Sequence, residues 1–126
     1  MQHFIRTRIN SFRFALAGMH YILRTQPNTW IHAAISLAVI ALGFWLNIPP
    51  LSWALIIVSM GMVWMAECLN TALEILIDLV SAQQHPLAKI SKDVAAAGVL
   101  LAALAAVGVG LLVFGPSLIQ RISSPN

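Results

Sequence analysis

Charge is what this sequence has least of. Only 9% of its 126 residues are Asp, Glu, Lys or Arg, against 60% hydrophobic, and the mean hydropathy is +0.86. A soluble domain carries roughly a quarter charged residues. Too few polar groups are present to cover a water-facing surface, so lipid must be the solvent for much of the chain. Cysteine occurs once, as Cys68, which excludes an internal disulfide and argues against a cysteine-based metal site. Cys68 lies in an apolar run and reads as packing. There is no glycine-rich phosphate loop: Gly108 and Gly110 sit in an apolar stretch and read as helix packing. Ser-His-Asp and zinc spacings are absent, as are repeats and low-complexity tracts. The first 28 residues hold Arg6, Arg8, Arg13 and Arg24 ahead of the first long apolar run, which is not the order of a cleavable signal.

What is there is a single all-α membrane domain over 1–126. Residues 3–24 are expected to form an amphipathic surface helix. Phe4, Ile5, Ile9, Phe12, Leu16, Met19 and Leu23 recur at helical spacing, with Arg6, Asn10, Arg13, His20 and Arg24 on the other side. Pro27 and Asn28 mark a break. Spans are expected over about 30–48, 51–80 and 92–119. Trp30 and Trp45 sit near the ends of the first, as interfacial aromatics do, and His32 reads as a hydrogen-bonded boundary residue. Asn47-Ile48-Pro49-Pro50 is a chargeless tight turn, and Ser81 to Pro86 a polar loop. Gly115-Pro116 falls near the end of the third span, beyond which the tail is expected to fray.

Topology follows from the basic residues. Four arginines precede the first span, and Lys89 and Lys92 precede the third, whereas the first turn has no charge and the C-terminal tail only Arg121. The N-terminus and the 81–93 segment are therefore expected in the cytoplasm, and the C-terminus outside. The few basic residues suit a membrane surface rather than nucleic acid.

The four acidic residues are Glu67, Glu74, Asp78 and Asp93. An ionisable group at mid-bilayer costs roughly 2.5 to 3.5 kcal/mol by insertion scales, so acids in a span need a reason. Glu67, Asn70, Glu74 and Asp78 stand at i, i+3, i+7 and i+11, on one helix face. Leu51 to Ala66 rises roughly 24 Å, which sets Glu67 near the inner edge of the hydrocarbon and brings Glu74 and Asp78 toward water. Such a stripe can join a lipid hydroxyl to a water-soluble nucleotide. Lys92-Asp93 opens the third span, followed by Ala95, Ala96, Ala97 and Gly98, small enough to let helices approach. Lysine suits polyphosphate, carboxylates suit Mg²⁺, and phosphoryl transfer needs mainly positioning and charge neutralisation. A proton-coupled transporter also places an acid in a span, and a membrane scaffold could use the stripe for helix association alone.

The run Ala66-Glu67-Cys68-Leu69-Asn70-Thr71-Ala72-Leu73-Glu74, with Asp78, His85 and Lys92-Asp93-Val94-Ala95-Ala96 downstream, resembles the signature of the prokaryotic diacylglycerol kinase and undecaprenol kinase family. The resemblance extends over almost the whole chain. It implies a homotrimeric lipid kinase of the bacterial inner membrane, with ATP sites formed between neighbouring subunits at the cytoplasmic face. Glu67 matches the general base, Glu74 the Mg²⁺-binding glutamate, and Asn70, Lys92, Asp93 and His85 positions at the nucleotide. Many members carry a glutamate before the first span as a second metal ligand; this chain offers Gln26, whose amide oxygen ligates without charge. Asn28 to His32 and the ending Gly108 to Pro116 look more like the undecaprenol kinase branch, with diacylglycerol next.

Overall fold

The structure is a computed structural model that describes residues 2–81 and 85–123, the side chains of 2–5 excepted. The described residues form four helices: α1 Gln2–Thr25, α2 Pro27–Leu46, α3 Pro50–Val80 and α4 Pro86–Ser123. Each of the last three opens on a proline. Proline lacks only an N–H that has no intrahelical acceptor at that position, and its fixed φ suits the first turn.

This proline rule moves the boundaries read from hydropathy. The third span was expected from 92, with 81–93 as a loop, but Pro86 to Asp93 form the first two turns of α4. Hydropathy marks where a helix enters oil, not where its hydrogen bonds begin. At the far end α4 runs through Pro116 to Ser123, several residues past the expected stop at 119. Likewise α2 starts at Pro27 and ends at Leu46, earlier at both ends than the expected 30–48. Residues 82–84 of the polar loop, residues 124–126 of the tail, and the side chains of Phe4 and Ile5 lie outside the described residues.

α2, α3 and α4 are each long and apolar enough to cross a membrane. At 1.5 Å per residue their 20, 31 and 38 residues measure about 30, 46 and 57 Å. Large apolar side chains face outward along them, Leu37 at 69% and Leu112 at 79% exposure among them, as lipid contact requires. In α1, residues 6–20 are exposed throughout, and Ile22 at its end is buried.

The apolar core gathers at one end of the bundle, where Leu46, Ile48, Ile56, Val113 and Phe114 meet. The α2–α3 turn makes this possible. Asn47 takes the left-handed conformation (φ 53°, ψ 46°) that asparagine tolerates, and the amides of Asn47 and Ile48 bond the carbonyls of Phe44 and Gly43, each at 3.2 Å. Ile48 is thereby tucked inward. Gly43 lies against the Trp53 indole so closely that a Cβ there would sit 2.7 Å from the ring. Trp53 also packs on Phe44, with centroids 4.9 Å apart. Arg121 pins α4 to this end, donating to the Trp45 carbonyl at 3.3 Å and lying 4.8 Å from the centre of its ring.

Candidate functional site

The opposite end is polar. Along α3 the stripe emerges by degrees: Glu67 is 2% exposed, Asn70 is buried, Glu74 is half-buried, and Asp78 is exposed. A second stripe lies on α2 and the residue before it. Gln26, Thr29 and His32 stand at i, i+3 and i+6, one face of the first turns. The two stripes run antiparallel and meet. His32 Nε2 is 3.8 Å from Glu67 Oε2. Gln26 Nε2 donates to Glu74 Oε2 at 3.5 Å, and Asn70 Nδ2 donates to Glu74 Oε1 at 3.1 Å. Each oxygen of Glu74 is thus held by an amide.

Local backbone sets this up. A residue before proline is pushed into extended geometry, and Gln26 adopts φ −108°, ψ 109° ahead of Pro27. Its amide bonds the Ile22 carbonyl at 2.9 Å, and its carbonyl accepts from Thr29 at 3.2 Å, so the α1–α2 junction is fixed and the side chain reaches α3.

Thr29 and Thr71, 0% and 1% exposed, lie at the middle of the two stripes. Their hydroxyls and the Oδ1 of Asn70 are buried and have no hydrogen-bond partner among the described residues. An unsatisfied buried polar atom costs about 1–3 kcal/mol, which a ligand with matching groups can recover. The sequence assigns neither threonine a site role, Thr71 standing only inside the matched run and Thr29 only inside the segment Asn28 to His32, and His32 reads there as a boundary residue rather than a partner of Glu67.

Lys92 forms an ion pair with Asp78, joining α4 to the outer end of the stripe. The other two expected site residues make no hydrogen bond or ion pair to the cluster among the described residues. His85 is exposed, and its Nδ1 accepts from the Leu87 amide at 3.2 Å, covering a free N–H at the start of α4. Asp93 is exposed and has no hydrogen bond or ion pair to the cluster among the described residues.

Three ligand-type residues among His, Cys, Asp and Glu do not converge anywhere in the described residues. The oxygens at Glu74 are nevertheless of the kind a hard cation prefers, its own carboxylate and the buried and unpartnered amide oxygen of Asn70, while Gln26 presents its amide nitrogen here. A magnesium ion is commonly bound by one or two carboxylates and completed by phosphate and water, which this donor set fits.

A family model described as prokaryotic diacylglycerol kinase matches residues 13–114, which contain both stripes and Lys92. The chain is 44% identical over 111 residues to a Synechocystis protein named diacylglycerol kinase, covering 87% of this chain and 63% of that one. It therefore spans less than two thirds of that relative's length. It is 39% identical over 108 residues to a Bacillus subtilis protein named undecaprenol kinase, covering 86% and 88%. An Escherichia coli protein named diacylglycerol kinase is 35% identical over 74 residues, 59% of this chain and 60% of that one.

Proposed function

The chain belongs to the prokaryotic diacylglycerol kinase family, and on that footing we propose that it transfers the γ-phosphoryl group of ATP to the hydroxyl of a membrane lipid alcohol. The observation that carries this reading is the pair of facing stripes, graded from the buried Glu67 beside the half-buried His32 to the exposed Asp78, which pairs with the half-buried Lys92 of α4. A lipid hydroxyl reaches one end from the hydrocarbon, and a nucleotide reaches the other from water.

In the reaction the lipid oxygen bonds to the γ-phosphorus as the bond from that phosphorus to the β–γ bridging oxygen breaks, releasing ADP. Glu67 takes the hydroxyl proton; its burial beside His32 keeps competing water away. Glu74, steadied by Gln26 and Asn70, holds the magnesium nucleotide, and Lys92 neutralises polyphosphate charge. Bound Mg²⁺ supplies charge neutralisation on the phosphate oxygens.

The rest of the reading follows the family. α1 lies on the cytoplasmic surface of the inner membrane, its apolar Ile9, Phe12 and Leu16 in the acyl boundary and its arginines toward headgroups. The N-terminus is cytoplasmic. The chain works as a homotrimer, in which His85 and Asp93, unbonded to their own chain's cluster among the described residues, meet the nucleotide of a neighbouring subunit's site. Undecaprenol is the proposed substrate, diacylglycerol the second, on the segment Asn28 to His32.

The test is purified protein in detergent with labelled ATP, Mg²⁺ and a panel of lipid alcohols. Transfer to at least one lipid is expected, falling by about 10² or more in Glu67→Gln with the fold retained. Full transfer in that variant removes Glu67 from its role. No transfer to any lipid, with proton-coupled uptake instead, removes the kinase.

A further inference from the structure

A base that takes the proton of a lipid hydroxyl must lose it again before the next turnover, and Glu67 is only 2% exposed. His32 lies beside it, but His32 also lines an apolar cavity of about 340 Å³ between α2, α3 and α4. The two serines of that cavity are engaged, Ser59 with the Ile56 carbonyl at 3.0 Å and Ser36 with the Trp64 indole at 3.1 Å, so its walls give a proton no onward acceptor. Water lies the other way, along the stripes toward Asp78.

Two hydroxyls stand on that way. Three cross-helix contacts fix the register of α2 against α3: Gln26 with Glu74, His32 with Glu67, and Ser36 with Trp64. In this register Thr29, midway between Gln26 and His32, stands opposite Thr71, which is four residues on from Glu67 and three short of Glu74. Helical hydroxyls commonly donate to the carbonyl one turn back, as those of Ser11, Thr25, Ser91 and Ser117 do here. Thr29 and Thr71 do not, although they are 0% and 1% exposed and meet no other partner among the described residues. Two hydroxyls kept out of their usual bonds, buried, and set between an acid and water are placed for another use.

We propose that Thr71 and Thr29, bridged by a buried water, carry the proton from Glu67 to the aqueous end of the stripes. The inference rests on the kinase reading and adds what becomes of the proton after phosphoryl transfer. Residues four apart on a helix have Cβ atoms about 5–6 Å from each other, so the Glu67 carboxyl reaches the Thr71 hydroxyl directly or through one water. A hydroxyl donates and accepts at once, as a relay requires. A buried water needs two to four polar partners, and the two free hydroxyls supply the first two. Asn70 Oδ1, the third unpartnered atom, only accepts, and it stays with the donor set at Glu74. In the step the carboxyl O–H of Glu67 gives its proton to the Thr71 oxygen as the Thr71 proton passes to the water. The water gives one of its own to the Thr29 oxygen, and the Thr29 proton goes to solvent beside Glu74. Each relay oxygen gains one O–H bond and loses one, Glu67 is left a carboxylate, and the product is one hydronium ion in bulk water. The threonines touch no substrate; they act through Glu67 as positioning residues for its proton.

The test separates the first turnover from the later ones. Thr29→Val and Thr71→Val keep the side-chain shape and delete the hydroxyl. In rapid-quench measurements on the full-length protein in detergent, with labelled ATP, Mg²⁺ and a lipid alcohol, the first transfer should keep the parent's rate, because Glu67 begins it unprotonated. Steady-state kcat should fall about tenfold, with KM for ATP and for the lipid unchanged. The ratio of kcat in H₂O to kcat in D₂O should rise in both variants, since proton exit then limits the rate. Thr29→Ser and Thr71→Ser keep the hydroxyl and should stay within about twofold of the parent. The retained first turnover reports that the variants fold. Where a valine variant does not fold, Thr→Ala at the same position takes its place, and imidazole buffer at rising concentration should restore its kcat by carrying the proton instead. Unchanged kcat in both valine variants overturns the relay. So does an equal slowing of the first and later turnovers, or a serine variant as slow as its valine counterpart. A parent that phosphorylates lipid while its threonine variants are indifferent removes the relay and leaves the kinase; a parent that phosphorylates no lipid alcohol removes both.

Discussion

Gln26 and Glu74, 48 residues apart in sequence, meet amide to carboxylate at 3.5 Å across the α1–α2 junction. Replacing Gln26 with glutamate sets a second carboxylate beside the first. Without a divalent cation the like charges repel; with Mg²⁺ both serve as hard, charged ligands. Gln26→Glu should therefore lower the Mg²⁺ needed for half-maximal activity about fivefold, a coupling of ~1 kcal/mol. It should also unfold at lower temperature in chelator than in Mg²⁺. A Mg²⁺ titration that superimposes on the parent's removes Gln26 from the metal site.

His32 of α2 brings its Nε2 to 3.8 Å from Glu67 Oε2 on α3. Its loss leaves a buried carboxyl without a polar neighbour on that side. We expect His32→Ala to lower kcat about tenfold while the KM for ATP holds. Added to Glu67→Gln, it should cost little more, because the two act through one proton. Losses that multiply in the double variant would show that His32 acts independently of Glu67.

Lys92 and Asp78 form an ion pair whose side chains are 36% and 67% exposed. Pairs this open contribute about 0–1 kcal/mol, so Lys92→Ala should leave the unfolding temperature nearly unchanged. The KM for ATP should rise about tenfold, as loss of a phosphate-binding charge implies. Lys92→Arg should restore part of the affinity, since charge returns with a different shape. Thermal unfolding alongside ATP titration separates the two roles; a large stability loss with unchanged KM would make the lysine structural.

Gly43 has no room for a methyl group against Trp53, whose ring is itself held by Phe44. Gly43→Ala should destabilise by about 1–3 kcal/mol. Gly61→Ala, in the same membrane-spanning bundle and open on all sides, should be neutral or stabilising by up to about 1 kcal/mol. Unfolding in detergent by titration with dodecyl sulfate measures both.

The α3 stripe was legible because four polar residues in an apolar run at helical spacing leave no other period to fit. The α2 stripe was not. Nothing local says which face of α2 meets α3, so His32 read as a boundary residue and Thr29 carried no signal. Gln26 was reachable only through the family resemblance. The first turns of α4 were missed for a different reason. Residues 86–93 are polar enough to resemble a loop, and the proline that opens the helix looks, in sequence, like one that closes the loop. The cavity was invisible, since it depends on how α2, α3 and α4 fit around small residues such as Ala106 and Gly110.

The helices differ in length, and the difference falls where the stripe is. Hydrocarbon about 30 Å thick, entered at Pro50, ends near Asn70, and Glu74 stands about 10 Å farther along α3 than Glu67. With its edge set there, a bilayer thicker by one helical turn would reach about to Glu74, and one thinner by as much would leave Glu67 at its surface. On the proposed reading, membrane thickness would act on this chain as a waterline, with these two glutamates as the marks on either side of it.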